Sequence, residues 1–203
     1  FEAMTDAVRP LVEMGRRVVA RLLNGLVFYQ MYKGDADATE VRPRAHLRTH
    51  LGSGKLSLGA ETHILDKWIL ARLSETIKQA TDALDHYEID RSVWPIDNFI
   101  DDLSTWYLRR SRDRFKVDGL DRDEAIATIR FVLLTTAQLL APVAPFVAEM
   151  IYRELKVESD PESIHLTNWP NFSFSEAKTI IDTMQQARNI ASLGLEFRQA
   201  AGV

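Results

Sequence analysis

Four arginines fall within six positions, at Arg109, Arg110, Arg112 and Arg114, with Lys116 just beyond them and Trp106 and Tyr107 just before. Guanidinium groups are planar and permanently charged. They take phosphate oxygens in a fork of hydrogen bonds and stack on flat rings. Aromatic rings in turn stack on bases splayed from a single strand. Arg109, Arg110, Arg112, Arg114, Lys116 and Trp106 are therefore the candidate contacts to RNA. Plainer accounts exist for each part. The helix macrodipole favours Asp97, Asp101 and Asp102 early in a helix and cations late in it. Arginine clusters also clamp domains together, and core packing explains Trp106 and Tyr107 better than stacking does.

Helical spacing divides the run. Arg109 and Arg112 share a face, as do Arg110 and Arg114. The second pair continues the line of Leu103, Trp106 and Tyr107, so it is expected nearer the packed side, serving stability or docking, while Arg109 and Arg112 meet the ligand. A second basic pattern occupies every other position at Arg42, Arg44, His46, Arg48 and His50. In an extended segment these side chains turn to one side, which makes Arg42, Arg44 and Arg48 secondary RNA candidates. A solvated loop accounts for the same pattern.

Other chemistries find little support. There is no cysteine, which removes disulfides and thiolate metal sites. Among the five histidines only His46 and His50 have metal-like spacing, in a loop without a carboxylate beside them, so no metal site is assigned. Gly54-Lys55 resembles the end of a P-loop, but Thr49 and Leu56 stand where a glycine and a magnesium-binding hydroxyl belong. Nothing resembles a nucleophile elbow. The formal net charge of -4 means that nucleic-acid binding must come from a local basic surface.

The elements that position these residues are helical. Apolar residues at steps of three and four predict helices over about 5–33, 62–86, 94–116, 121–140, 145–155 and 173 onward. Ser92, the Asp121/Glu124 pair and the Ser173/Glu176 pair are the expected N-terminal caps of the third, fourth and last. Within the last, Ile180, Ile181, Met184, Ala187 and Ala191 form the inward side. The uncharged run Phe131–Ala148 reaches the membrane-span threshold of about 18 residues, but Pro142 and Pro145 make a buried helix and a turn the better reading. Residues 34–61 carry glycines and no period, so they read as a long irregular insertion. Ile164–Leu166 reads as a short extended piece, and no strand pair is expected. The whole is an all-α antiparallel bundle of about six helices. It divides into a first helix over 1–33, the insertion over 34–61, a main bundle over 62–172 and a last helix over 173–203.

Several segments resemble the anticodon-binding domain of class I aminoacyl-tRNA synthetases. LDKWIL (Leu65–Leu70), LAPVAPFVAEMIYREL (Leu140–Leu155) and SIHLTNWP (Ser163–Pro170) are similar to its shared helices and turn. STWYLRRSRDRF (Ser104–Phe115) and the closing ARNIASLGLEFRQAAGV are similar to the isoleucyl branch. The resemblance covers most of Leu65 to Val203 and implies a domain that grips the anticodon stem-loop of an isoleucine tRNA. His165 and Trp169 then pin the segment before the last helix. It also implies a longer parent, as Phe1 suggests, which uses ATP to join isoleucine to that tRNA. Neither nucleotide-binding signature of the family, His-Ile-Gly-His or Lys-Met-Ser-Lys-Ser, is in these 203 residues. The expectation is a binding fragment with no catalytic residue or cofactor of its own, monomeric, cytoplasmic and off the membrane, with the parent's catalytic domain as its partner in cis. The rival readings are a valyl or other class I domain, and a helical scaffold whose arginines dock an acidic protein.

Overall fold

A computed structural model describes residues 2–33, 54–55, 62–174 and 176–202, with the side chains of 15–33, 62–174 and 176–202. The fold is all-α. Helices α1 (Glu2–Tyr32), α2 (Ile64–Asp85) and α3 (Ile89–Asp102) come first, then α4 (Arg109–Ser111), α5 (Leu120–Leu140), α6 (Pro145–Leu155) and α7 (Ala177–Ala200). A two-residue parallel ladder joins β1 (Gly54–Lys55) to β2 (Phe172–Ser173), a pairing too short for any alternation to announce. Arg42, Arg44, His46, Arg48 and His50 lie outside the described residues.

Helix α5 sits at the centre, with Ile126, Ile129, Val132, Leu133 and Leu140 all buried. Thr128, Thr135, Thr136 and Gln138 are buried too, so the helix is enclosed on nearly every side. That is why Phe131–Ala148 carries no charge: it is core, then the turn that Pro142 and Pro145 impose. Pro145 opens α6, where a missing N–H is harmless. No described helix is long and apolar enough to cross a membrane. Helix α1 presents Val18, Leu22, Leu26 and Tyr29 and runs antiparallel to α5, its Tyr32 carbonyl accepting from Arg122 Nη2 at 3.0 Å. Helix α2 buries Trp68, Ile69, Leu73, Ile77 and Ala80.

The tight turn between α2 and α3 moves a boundary. Tyr87 N–H donates to the Leu84 carbonyl at 2.9 Å and Glu88 N–H to the Ala83 carbonyl at 2.8 Å, which closes α2 as a Schellman motif. Tyr87 holds the left-handed position at φ 60°. Helix α3 then starts at Ile89, so Ser92 is inside it, donating to the Ile89 carbonyl at 2.7 Å. Pro95 becomes an internal residue with one backbone bond fewer.

The chain from Leu103 to Leu108 is π-helical. The wider turn takes in one extra residue, so the core positions after it move along by one. An unbroken α-helix would bring Arg110 and Arg114 under Leu103 and Tyr107. Instead Ser111 and Phe115 are buried there. Phe115 closes the run in a 3-10 turn (Arg114–Lys116), edge-on to Phe28 with ring centroids 4.9 Å apart.

Two other caps differ from expectation. Asp121 makes no cap bond because its carboxylate pairs with Arg114, and Gly119 stands at the start of α5. Ser173 belongs to β2, while Glu176 begins α7 with no side-chain cap. No residue of α7 is buried, so the expected inward set only rests on the bundle through Ile180 and Met184. Ile164–Leu166 is a 3-10 turn, capped by Ser163.

Candidate nucleic-acid interface

The arginine run splits into one largely covered member and three exposed ones. Arg114 turns inward. Its Nη1 and Nη2 donate to Asp66 Oδ1 and Oδ2 at 2.9 and 2.8 Å. Its Nε and Nη2 donate to Asp121 Oδ2 and Oδ1 at 2.8 and 2.6 Å. Asp66 has no exposed surface and also accepts from the Tyr107 hydroxyl at 2.8 Å. Burial disfavours the charge on Arg114, but the hydrogen bonds it donates to Asp66 and Asp121 outweigh it and its proton is held more tightly than usual. Burial first, then the Asp66 charge, pushes the Tyr107 phenol well above its ordinary range. The Arg114 hydrogen bond holds Asp121 below the usual carboxylate range. With its fork committed to two carboxylates, Arg114 lies on the packed side as its spacing implies, drops out of the candidate RNA contacts and becomes a tie between α2 and the end of the run.

Arg109, Arg110 and Arg112 are exposed, and among the described residues no acid makes an ion pair with any of them. Arg110 is the correction the π-helical turn produces: expected toward the packed side, it instead lies over the Trp106 ring, its guanidinium carbon 4.7 Å from the centroid. Lys116 is exposed and paired with Asp113 Oδ1 at 2.8 Å, a surface pair worth little. Trp106 is half-buried and already carries arginine: besides Arg110, the guanidinium carbon of Arg188 lies 5.1 Å from its centroid. Its indole Nε1 is buried with no hydrogen-bond partner.

The Arg188 contact belongs to a network that the residue pattern did not reveal. Arg188 Nη1 donates to Asp102 Oδ1 at 2.6 Å, and Arg72 Nε donates to Asp102 Oδ2 at 2.9 Å. Arg72 also pairs with Glu75. Asp102 is thus buried between two arginines, not part of a solvated N-terminal face, and Asp101 pairs with Arg21 at 2.9 Å. A signal was present for two of the missed residues. Asp66 falls three before Ile69 and seven before Leu73, on the apolar stripe of α2. Arg188 falls four after Met184, on the stripe of α7. A charge on a buried stripe calls for a partner.

Of the two residues expected to pin the segment before α7, Trp169 does so, donating from Nε1 to Thr81 Oγ1 at 2.9 Å. His165 is exposed. Glu149 serves in its place, accepting from Ser163 Oγ at 2.9 Å and Ile164 N–H at 3.0 Å. Among the described residues no group of three metal-ligating side chains stands together.

This arrangement, a helical bundle with unpaired arginines on one exposed stretch, meets its decisive comparison in the family model described as the anticodon-binding domain of tRNA ligase, which matches residues 66–202. The chain belongs to that family. Relatives of this anticodon-binding domain include the isoleucine–tRNA ligase of Chlamydia muridarum, 33% identical over 187 residues, 91% of this chain and 17% of the relative. That of Clostridium novyi is 37% identical over 147 residues, 70% of this chain and 14% of the relative. That of Clostridium kluyveri is 33% identical over 194 residues, 93% of this chain and 18% of the relative. The domain thus spans about a sixth of the length of these curated relatives. Both the arginine run and the Asp66–Arg114 tie lie inside the matched region.

Proposed function

We propose that this domain grips the anticodon stem-loop of an isoleucine-accepting tRNA through Arg109, Arg110, Arg112 and Lys116. The carrying observation is three closely spaced exposed arginines that form no ion pair among the described residues, in a chain of net charge -4 matched to an anticodon-binding family. These arginines keep their donors free, and phosphate oxygens accept them bidentately. Such contacts release counterions, so affinity falls steeply as salt rises.

The whole protein, on this reading, is an isoleucine–tRNA ligase of the cytoplasm that acts as a monomer. Its ATP chemistry lies in a catalytic region with which this domain works in cis. No residue of the 203 is assigned to ATP, because neither nucleotide-binding signature occurs among them.

Binding of labelled isoleucine tRNA to the 203-residue chain, measured at two salt concentrations beside an unrelated RNA hairpin of equal length, tests the reading. The tRNA should bind more tightly, with a salt slope that flattens when Arg109 or Arg112 is replaced by alanine. Equal binding of both RNAs, or slopes indifferent to the arginines, would leave a protein-docking scaffold as the better account. The 203 residues should also show no isoleucine-dependent pyrophosphate exchange; activity there would mean the active site is misplaced.

A further inference from the structure

Arg110 differs from its neighbours in one respect. Arg109 and Arg112 have no ion-pair or ring contact among the described residues, whereas Arg110 lies on an indole. That indole is itself held. Arg188 reaches across from α7 to lie near both Trp106 and Trp68, at 5.1 and 5.8 Å from their centroids. Arg188 is fixed by the buried carboxylate of Asp102, which Arg72 braces from the other oxygen. A chain of contacts therefore runs from the core to Arg110.

The charges along it are unequal. Asp102 neutralises Arg188, and no acid among the described residues neutralises Arg110. The outermost link is thus an ordered, unpaired cation. An arginine on an exposed helix face samples many rotamers, and ordering it on binding costs affinity. Stacking on an indole limits that freedom beforehand while leaving the guanidinium edge donors open.

We propose that Trp106 is a positioning residue: its indole holds the Arg110 guanidinium for a phosphodiester group of RNA, with Arg188 and Asp102 fixing the indole. This rests on the tRNA-binding reading above and assigns Trp106 a role other than stacking on a base. The π-helical turn makes the pairing available, since it brings Arg110 out of the packed side and onto the ring four residues before it.

The test compares Trp106→Leu, Trp106→Phe, Arg110→Ala, Arg109→Ala and the double variant Trp106→Leu/Arg110→Ala in the 203-residue chain. Each is assayed for melting and for isoleucine-tRNA affinity at two salt concentrations. Arg110→Ala should weaken binding and flatten the logarithmic salt slope by somewhat under about one unit. Trp106→Leu should weaken binding roughly two- to fivefold with the slope unchanged, because the phosphate contact still forms but from a disordered side chain. In the Arg110→Ala background it should do nothing more. Trp106→Phe, which keeps a ring face, should recover most of the loss.

Additive effects of Trp106→Leu and Arg110→Ala would overturn the proposal and make the ring itself an RNA contact. Unchanged affinity in Trp106→Leu, or a Trp106→Phe variant no better than Trp106→Leu, would overturn it too. Should Trp106→Leu melt too low to assay, Arg188→Met takes its place. It leaves the indole in the chain and should likewise weaken binding at constant slope; no effect there counts against the proposal. Arg109→Ala separates the two levels. If it weakens binding while Trp106 is indifferent, only the positioning role fails. If neither matters, the tRNA reading fails with it.

Discussion

Arg114 and Arg110 are four residues apart, yet they live in opposite environments. Arg114 is about 10% exposed, with its fork shared between a buried and a surface carboxylate. Arg110 is exposed, without an acid, and lies on a ring. Residue type does not separate them, and neither does helical spacing. The difference teaches that an arginine's role follows from where the acids are, and that one extra residue in a turn decides which arginine meets them.

The sharpest way to break this comparison is at its buried end. Arg114→Ala leaves Asp66 buried with, among the described residues, the Tyr107 hydroxyl as its remaining hydrogen-bond partner. Orphaning a buried charge costs about 3–5 kcal/mol, so urea unfolding should show a loss of that order. Binding per folded molecule should stay nearly unchanged. If Arg114→Ala instead lowered tRNA affinity without lowering stability, the two ends of the run would have been assigned backwards.

At the exposed end the pattern should invert. The double variant Arg109→Ala/Arg112→Ala should stay within about 0.5 kcal/mol of the parent in stability. Each lost phosphate contact should still flatten the salt slope by somewhat under about one unit. A large fall in melting temperature would mean these side chains also support the fold.

Smaller effects sharpen the buried side. Tyr107 has a folded-state pKa raised by burial and by Asp66. Its contribution is therefore complete below the unfolded tyrosine value of about 10 and is lost as pH rises above it, because only the unfolded chain ionises there. Tyr107→Phe should be about 1 kcal/mol less stable at pH 7, for the lost hydrogen bond. It should also lose less stability than the parent above about pH 10. Identical alkaline slopes would show that Tyr107 is not the titrating group.

The smallest expected change runs the other way. Tyr87 holds a left-handed backbone position that suits glycine, with its side chain 91% exposed. Tyr87→Gly should leave the melting temperature unchanged or raise it, by up to about 1 kcal/mol in stability. It should not touch the salt slope. A clear destabilisation would reveal a contact made by the ring.

Much of the fold was legible from period and punctuation. The stripe from Trp68 to Ala80 and the Pro142–Pro145 break are buried helix and turn as their spacing requires. Other features depend on distant partners. Asp121 looks like a cap beside Glu124, but Arg114 competes for it and wins with two charged hydrogen bonds. Ser92 looks like a cap because a proline follows, yet closure of the preceding turn around Tyr87 lets α3 start a turn earlier. At the site, the cluster of cations was plain in the sequence. Of the pair that spacing put on the packed side, Arg114 is there and Arg110 is not, because a π-helical turn leaves composition unchanged and alters the period for only one turn.

That turn also makes the domain unusually tolerant of one deletion. Removing a single residue between Leu103 and Leu108 lets the backbone relax to an ordinary α-helix, about 100° per residue. The residue lost is the one the wider turn takes in, so everything downstream keeps its side of the axis: Ser111 and Phe115 stay on the buried stripe and Arg114 stays on Asp66. A residue inserted after Leu108 has no such compensation and would swing all that follows, like several simultaneous substitutions spread over two turns. Deletion of Ser104 should keep the cooperative thermal transition, whereas an alanine inserted between Leu108 and Arg109 should abolish it. The six residues function as a phase marker for the surface that follows, and the buried carboxylate is where an error of phase is felt.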